Sequence, residues 1–188
     1  MSWHTIDGGL VPDALAGPLV LDFCNTRDVW GASTPPMVRI DPSAFAVWAH
    51  EHGLVGRVES TNPAVLRRAL ALRSSVHRCC TGHSTPADWA LLASEARRAR
   101  NASSLAFDRS TGVAFWRVDA NGVERALAVV AEAAVALLTS PLAASIGACP
   151  GNHCGWLFVD PRGRRRWCSM ALCGNRVKAR RHAARQRA

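Results

Sequence analysis

Cys149-Pro-Gly-Asn-His-Cys154 and Cys168-Ser-Met-Ala-Leu-Cys173 are two C-x4-C pairs with thirteen residues between them, and the rest of the architecture is read outward from them. Each pair offers two thiolates from one tight turn. Two pairs supply the four soft ligands of a tetrahedral Zn²⁺, which staples the turns together. Pro150, Gly151 and Asn152 are the turn formers a metal knuckle requires. Four thiolates fill the tetrahedron and leave no position for substrate or water, so the expected cofactor is one structural Zn²⁺ on Cys149, Cys154, Cys168 and Cys173. Cys24, Cys79 and Cys80 show no such order. With His77 they read as core or surface residues, and His153 reads as exposed.

Between the pairs, Trp156 to Asp160 and Arg166 to Cys168 flank a Pro161-Arg162-Gly163 turn, which predicts a hairpin. Ser169 is an N-cap for a terminal helix that carries Cys173 in its first turn, where the helix dipole favours a thiolate. Knuckle, hairpin and helix start around one ion make a treble-clef-like module. Trp156 and Trp167 are expected to cover its small core, with base stacking as the alternative role.

Charge divides the chain at the same place. Residues 1–148 hold thirteen Arg and thirteen Asp plus Glu, whereas residues 149–188 hold ten Lys plus Arg against Asp160 alone, the whole of the net +9. A neutral body with a basic end implies a polyanionic partner for that end, DNA first and RNA as the alternative. The candidate contacts are Arg162, Arg164, Arg165 and Arg166 in the hairpin and Arg176, Lys178, Arg180, Arg181 and Arg185 on the terminal helix. On a helical wheel Arg176, Arg180 and Arg187 form one stripe and Lys178, Arg181 and Arg185 another, and like charges at i, i+4 repel until phosphates neutralise them.

The 188 residues, 48% hydrophobic, suffice for one ordinary domain and a small module that needs a metal to fold. The boundary is placed at residues 145 and 146, with separate cores on either side. The fold class is helix-rich α+β: a mostly helical N-terminal domain with a short strand and a hairpin, then the zinc module. Pro18 to Phe23 reads as a buried strand, and Asp22, Asn25 and Thr26 at its end are candidate ligand-binding residues. Helices are expected from Asp41-Pro42 to Gly53, from Asn62-Pro63 to Gly82, and from Thr85-Pro86 with Asp88 three residues past the cap. Ser103 to Phe107 and Val113 to Val118 form a hairpin, and Leu127, Val130, Ala131, Ala134, Leu137 and Leu138 make the apolar stripe of a long helix.

Residues 1–17 contain Asp7 and Asp13 and no long apolar run, and Glu132 interrupts the most apolar stretch, so a cytoplasmic chain without a membrane span is expected. G-x-S-x-G, H-E-x-x-H, P-loop and dinucleotide motifs are all missing, which argues against an enzyme.

The run from Cys149 through Cys173-Gly174-Asn175-Arg176 to Lys178 resembles the bacterial CGNR zinc finger, matched at both cysteine pairs. Leu19 to Thr26 (LVLDFCNT), and more loosely Leu70 to Arg73 and Leu137 to Ser140, resemble the ABATE domain that precedes such fingers. Cys24 departs from the aliphatic residue more usual there. The resemblance implies a stress-induced transcription regulator. On that reading the finger binds DNA, and the N-terminal domain senses a small-molecule effector or forms a homodimer.

Overall fold

The computed structural model describes residues 3–6, 9–12, 17–26, 30, 42–58 and 62–186. Strands β1 (Trp3–Ile6) and β2 (Gly9–Pro12) form an antiparallel pair, followed by helices α1 (Leu19–Asn25), α2 (Pro42–Glu51), α3 (Pro63–Cys80) and α4 (Pro86–Asn101). The hairpin β3 (Ser103–Asp108) and β4 (Val113–Val118) leads into α5 (Gly122–Leu138). After a 3₁₀ turn at Pro141–Ser145 come β5 (Ile146–Ala148), β6 (Leu157–Val159), a π turn at Met170–Gly174 and α6 (Asn175–Gln186).

The stretch expected to be a strand is helix α1. Its Val20, Leu21, Phe23 and Cys24 are buried together with Asp22, Asn25 and Thr26. A helix enclosed on all sides needs no polar face, so it shows the continuous apolar run that periodicity alone cannot separate from a buried strand. Pro18 opens it in extended conformation, and its carbonyl accepts from the N–H groups of Leu21 and Asp22. α1 packs against α3, α5 and β6, and Phe23 meets Phe45 and Trp48 of α2 at centroid distances of 5.8 and 5.3 Å.

The other helices begin as expected from their caps. Asn62 accepts from Ala64 N–H ahead of Pro63, and Thr85 with Asp88 closes a capping box ahead of α4. The N-cap expected at Asp41 lies outside the described residues, as does Arg187. On α5 the residues buried are Ala126, Leu127, Val130, Ala131, Ala134 and Leu137: the stripe read from sequence with Ala126 added, while Leu138 at its end is half-buried. Arg68 of α3 joins Glu95 of α4 and Glu124 of α5 with N···O distances of 2.7 Å each.

The two cores adjoin. A large cluster spans α1 to α5 and includes Leu157 of β6, fully buried; a small one holds the four ligand cysteines with Trp156 and Phe158. Trp30 packs against both. The metal module therefore sits on the helical body as a continuation of its interior.

Candidate metal centre and nucleic-acid interface

β5 and β6 are antiparallel partners, with Ala148 opposite Leu157, and the first cysteine pair is the loop that joins them. Cys149 N–H donates to Trp156 O, Gly155 N–H to Cys149 O and Cys154 N–H to Gly151 O, which folds Cys149–Cys154 into a knuckle. His153 takes a left-handed conformation, φ 59°, to complete it. The hairpin expected between Trp156 and Cys168 is not formed: β6 pairs backward with β5, and residues 160–168 are a loop.

Asp160 organises that loop. Against the upward push of desolvation, the backbone N–H groups of Arg165, Arg164, Arg162 and Gly163 hold its carboxyl below the usual carboxylate range. The Arg165 guanidinium turns inward. It donates to the carbonyls of Trp167 and Cys168 and lies 4.7 Å above the Phe158 ring, bracing the loop that presents Cys168. Ser169 caps the π turn through Leu172 N–H, and its carbonyl accepts from Cys173 and Gly174 N–H.

The four ligand sulfurs lie within 4.8 Å of one another, all buried, with Cys154 to Cys168 at 3.8 Å and Cys168 to Cys173 at 3.6 Å. Zn–S bonds of about 2.3 Å place the corners of a tetrahedron about 3.8 Å apart, so the residues fit the ion in donor type, number and spacing. A disulfide would bring two sulfurs to about 2 Å. Hydrogen bonds from Cys154 and Cys168 pull Cys149 down, and the bond to Cys149 is the largest push raising Cys154 and Cys168. Cys149, Cys154 and Cys168 thus compete for a single negative charge until a divalent cation lets them ionise together. A Cβ on Gly151 would stand 3.0 Å from Cys173 Sγ and 3.4 Å from Cys149 Sγ, so a larger residue in the knuckle would press on two ligands.

The cationic side chains divide into two groups. Arg162, Arg164 and Arg166 are exposed on the loop, and Arg176, Lys178, Arg180, Arg181 and Arg185 are exposed on α6, which has no buried residue. Arg165 serves the interior as described. Trp156 is 1% exposed and faces the small core, while Trp167 is half-buried with Arg166 5.1 Å from its ring.

A family model described as "Putative stress-induced transcription regulator", ABATE, matches residues 17–141, and one described as CGNR zinc finger matches residues 145–186. The chain belongs to the ABATE family. It ends in a CGNR zinc finger that holds one structural Zn²⁺ on Cys149, Cys154, Cys168 and Cys173. Neither family description names an enzyme. No curated protein matches the chain. Among the described residues no helix is long and apolar enough to cross a membrane.

The ABATE domain grips the finger through Asn25, His77 and Trp30. Asn25 Nδ2 donates to Leu157 O at 3.0 Å while its Oδ1 accepts from Leu157 N–H at 2.8 Å, so the side-chain amide takes the place of a neighbouring strand on β6. His77 Nε2 donates to Gly155 O at 2.8 Å. Trp30 stacks on His77 at 3.6 Å and donates its backbone N–H to Cys154 O. Gly155, φ 67°, is the only residue type that tolerates this approach, since a Cβ there would lie 2.6 Å from Trp30 Cβ. Of the candidate ligand residues, Asn25 is engaged with β6, Thr26 receives the Arg73 guanidinium at 2.9 Å, and Asp22 is buried in α1. Where the end of α3 faces the knuckle, a cleft of about 760 Å³ opens, lined by Trp30, His77, Arg78, His83, Pro150 and His153 among others. Trp30 and His77 carried no local sequence signal, because their partners lie in another part of the chain.

Proposed function

We propose that this ABATE protein is a DNA-binding transcription regulator of the cytoplasm, in which the zinc finger contacts phosphates and the N-terminal domain senses an effector. The observation that carries the reading is α6: it follows directly on the π turn that holds the ligand Cys173, buries no residue against the protein, and carries five cations without an acid. Repulsion at Arg176 with Arg180 and Arg181 with Arg185 disfavours such a helix until a polyanion lies against it. The exposed Arg162, Arg164 and Arg166 extend the same charge onto the loop. Zinc is required because Cys173 fixes where α6 starts.

The cleft between α3 and the knuckle supports the sensor role, since its lining includes both residues of the ABATE domain and the zinc ligands Cys149 and Cys154. Any such effector must shift DNA affinity and have its own affinity shifted by the same factor. RNA is the weaker reading because Trp156 is enclosed and has no face for a base. The test is duplex DNA binding across a salt series. Log K falls linearly with log salt at about −0.9 per phosphate contact, and Arg180→Ala makes the slope shallower by about one unit. A salt-independent affinity, or a preference for single-stranded RNA over duplex DNA, overturns the proposal.

A further inference from the structure

The cleft between the end of α3 and the knuckle holds basic side chains and no acid. Arg78, His77, His83 and His153 line it, and among the described residues no Asp or Glu does. Trp30, Ile146, Ala148 and Pro150 supply an apolar wall. Its volume of about 760 Å³ lies within the roughly 300–1,000 Å³ of small-molecule sites, which combine such a wall with a few placed polar groups.

Two of the basic side chains keep a donor in reserve. Arg78 Nε meets the two Asp88 carboxylate oxygens at 3.1 and 3.0 Å, and Nη2 bonds Asp88 and reaches Ser75 Oγ at 3.4 Å. Arg78 Nη1 has no partner among the described residues. Asp88 is buried and accepts from Thr85 N–H, so the guanidinium it grips is fixed in advance and loses little freedom when a ligand arrives. His83 Nδ1 lies 3.2 Å from Thr81 Oγ1, and its Nε2 has no partner among the described residues. Because Asp88 already offsets the Arg78 charge, the pair suits a single negative charge better than a dianion.

We propose, resting on the sensor reading above, that the effector is a small amphipathic organic anion: an apolar body bearing one carboxylate. The carboxylate accepts from Arg78 Nη1 and His83 Nε2 at the α3 end, and the body lies against Trp30, Ile146 and Pro150. Charge sets this orientation. Four thiolates around one divalent ion leave negative charge behind Cys149 and Cys154, which turns the anionic head away from the knuckle.

The test is isothermal titration of the full zinc-loaded chain with 2-naphthoate. Its comparators are 2-naphthamide, which keeps the body without the charge, 2-naphthylmethylammonium, which reverses the charge, and inorganic phosphate, which has charge without a body. Naphthoate binds at least about tenfold more tightly than each, the effect of a charge-assisted hydrogen bond joined to apolar burial. His83→Glu, which sets a carboxylate beside the head, and Ala148→Trp, which fills the apolar end, each weaken naphthoate by about tenfold or more. Both positions are exposed, so circular dichroism and zinc content stay as in wild type. Naphthoate that fails to bind, that binds no better than the amide or phosphate, or that ignores both substitutions overturns the ligand class. DNA affinity with and without naphthoate is measured separately. Naphthoate that binds as expected and leaves DNA affinity unchanged supports the ligand class and removes the sensor role, so the two readings fail apart.

Discussion

Gly151 and Asn25 show how much single residues carry. An alanine at Gly151 drives its Cβ against two ligand sulfurs, Cys149 of the knuckle and Cys173 of the π turn. Gly151→Ala is expected to lower zinc affinity on the order of tenfold, as changes beside metal ligands do, measured by competition with a chromogenic chelator. Asn25→Ala leaves both the N–H and the C=O of Leu157 buried without their partner. The expected cost is about 2–4 kcal/mol in denaturant unfolding, and Asn25→Asp, which keeps the acceptor and loses the donor, also destabilises. The four zinc ligands were legible in the sequence because each pair is closed by one short turn, which spacing and turn residues encode. The role of Asn25 was not legible. Its partner lies 132 positions away, and a polar residue ending an apolar run reads equally as a ligand contact or a clip.

Helices were legible where one face is solvated, as in α5, and misread where every face is covered, as in α1. The β5–β6 pairing was missed for a different reason: three-residue strands carry almost no periodicity, and the turn at Pro161-Arg162-Gly163 gave a stronger local signal than the strand before the knuckle. The α3–α4 pair yields a pH prediction. Hydrogen bonds from Arg78, then from the Thr85 backbone, Ser75 and Thr85 hydroxyl, hold the Asp88 carboxyl well below the usual carboxylate range. A carboxylate depressed in the folded state stabilises fully above the unfolded value, about 3.9, and this contribution is lost as pH falls through the lower folded value. Thermal melts of wild type should therefore decline more steeply below about pH 4 than those of Asp88→Asn, which is less stable at neutral pH and has less to lose on acidification. Equal acid limbs in the two proteins would remove Asp88 from the account.

At the scale of the molecule, zinc stabilises more than the finger. Separate cores on either side of residues 145 and 146, as expected from the sequence, would let loss of the metal melt the last forty residues alone and leave a chain ending at Ala148 folded. Both expectations assumed separate cores, which composition alone cannot test. With Leu157 inside the helical core and Asn25, His77 and Trp30 tied to β6 and the knuckle, removal of zinc should lower the melting temperature of the whole chain in one transition. Calorimetry after chelation checks this, and two independent transitions with an unmoved helical one would contradict it. Metal uptake must also displace the protons held by the cluster, so zinc affinity should weaken as pH is lowered, read as protons released per metal bound. The amide grip on β6 has a consequence for portability. Although the two family matches abut near residue 143, the finger is no interchangeable cassette. Any host body to which it is transplanted must offer an amide in register with Leu157 and an apolar socket for its side chain, or the graft arrives with a metal site and nothing to stand on.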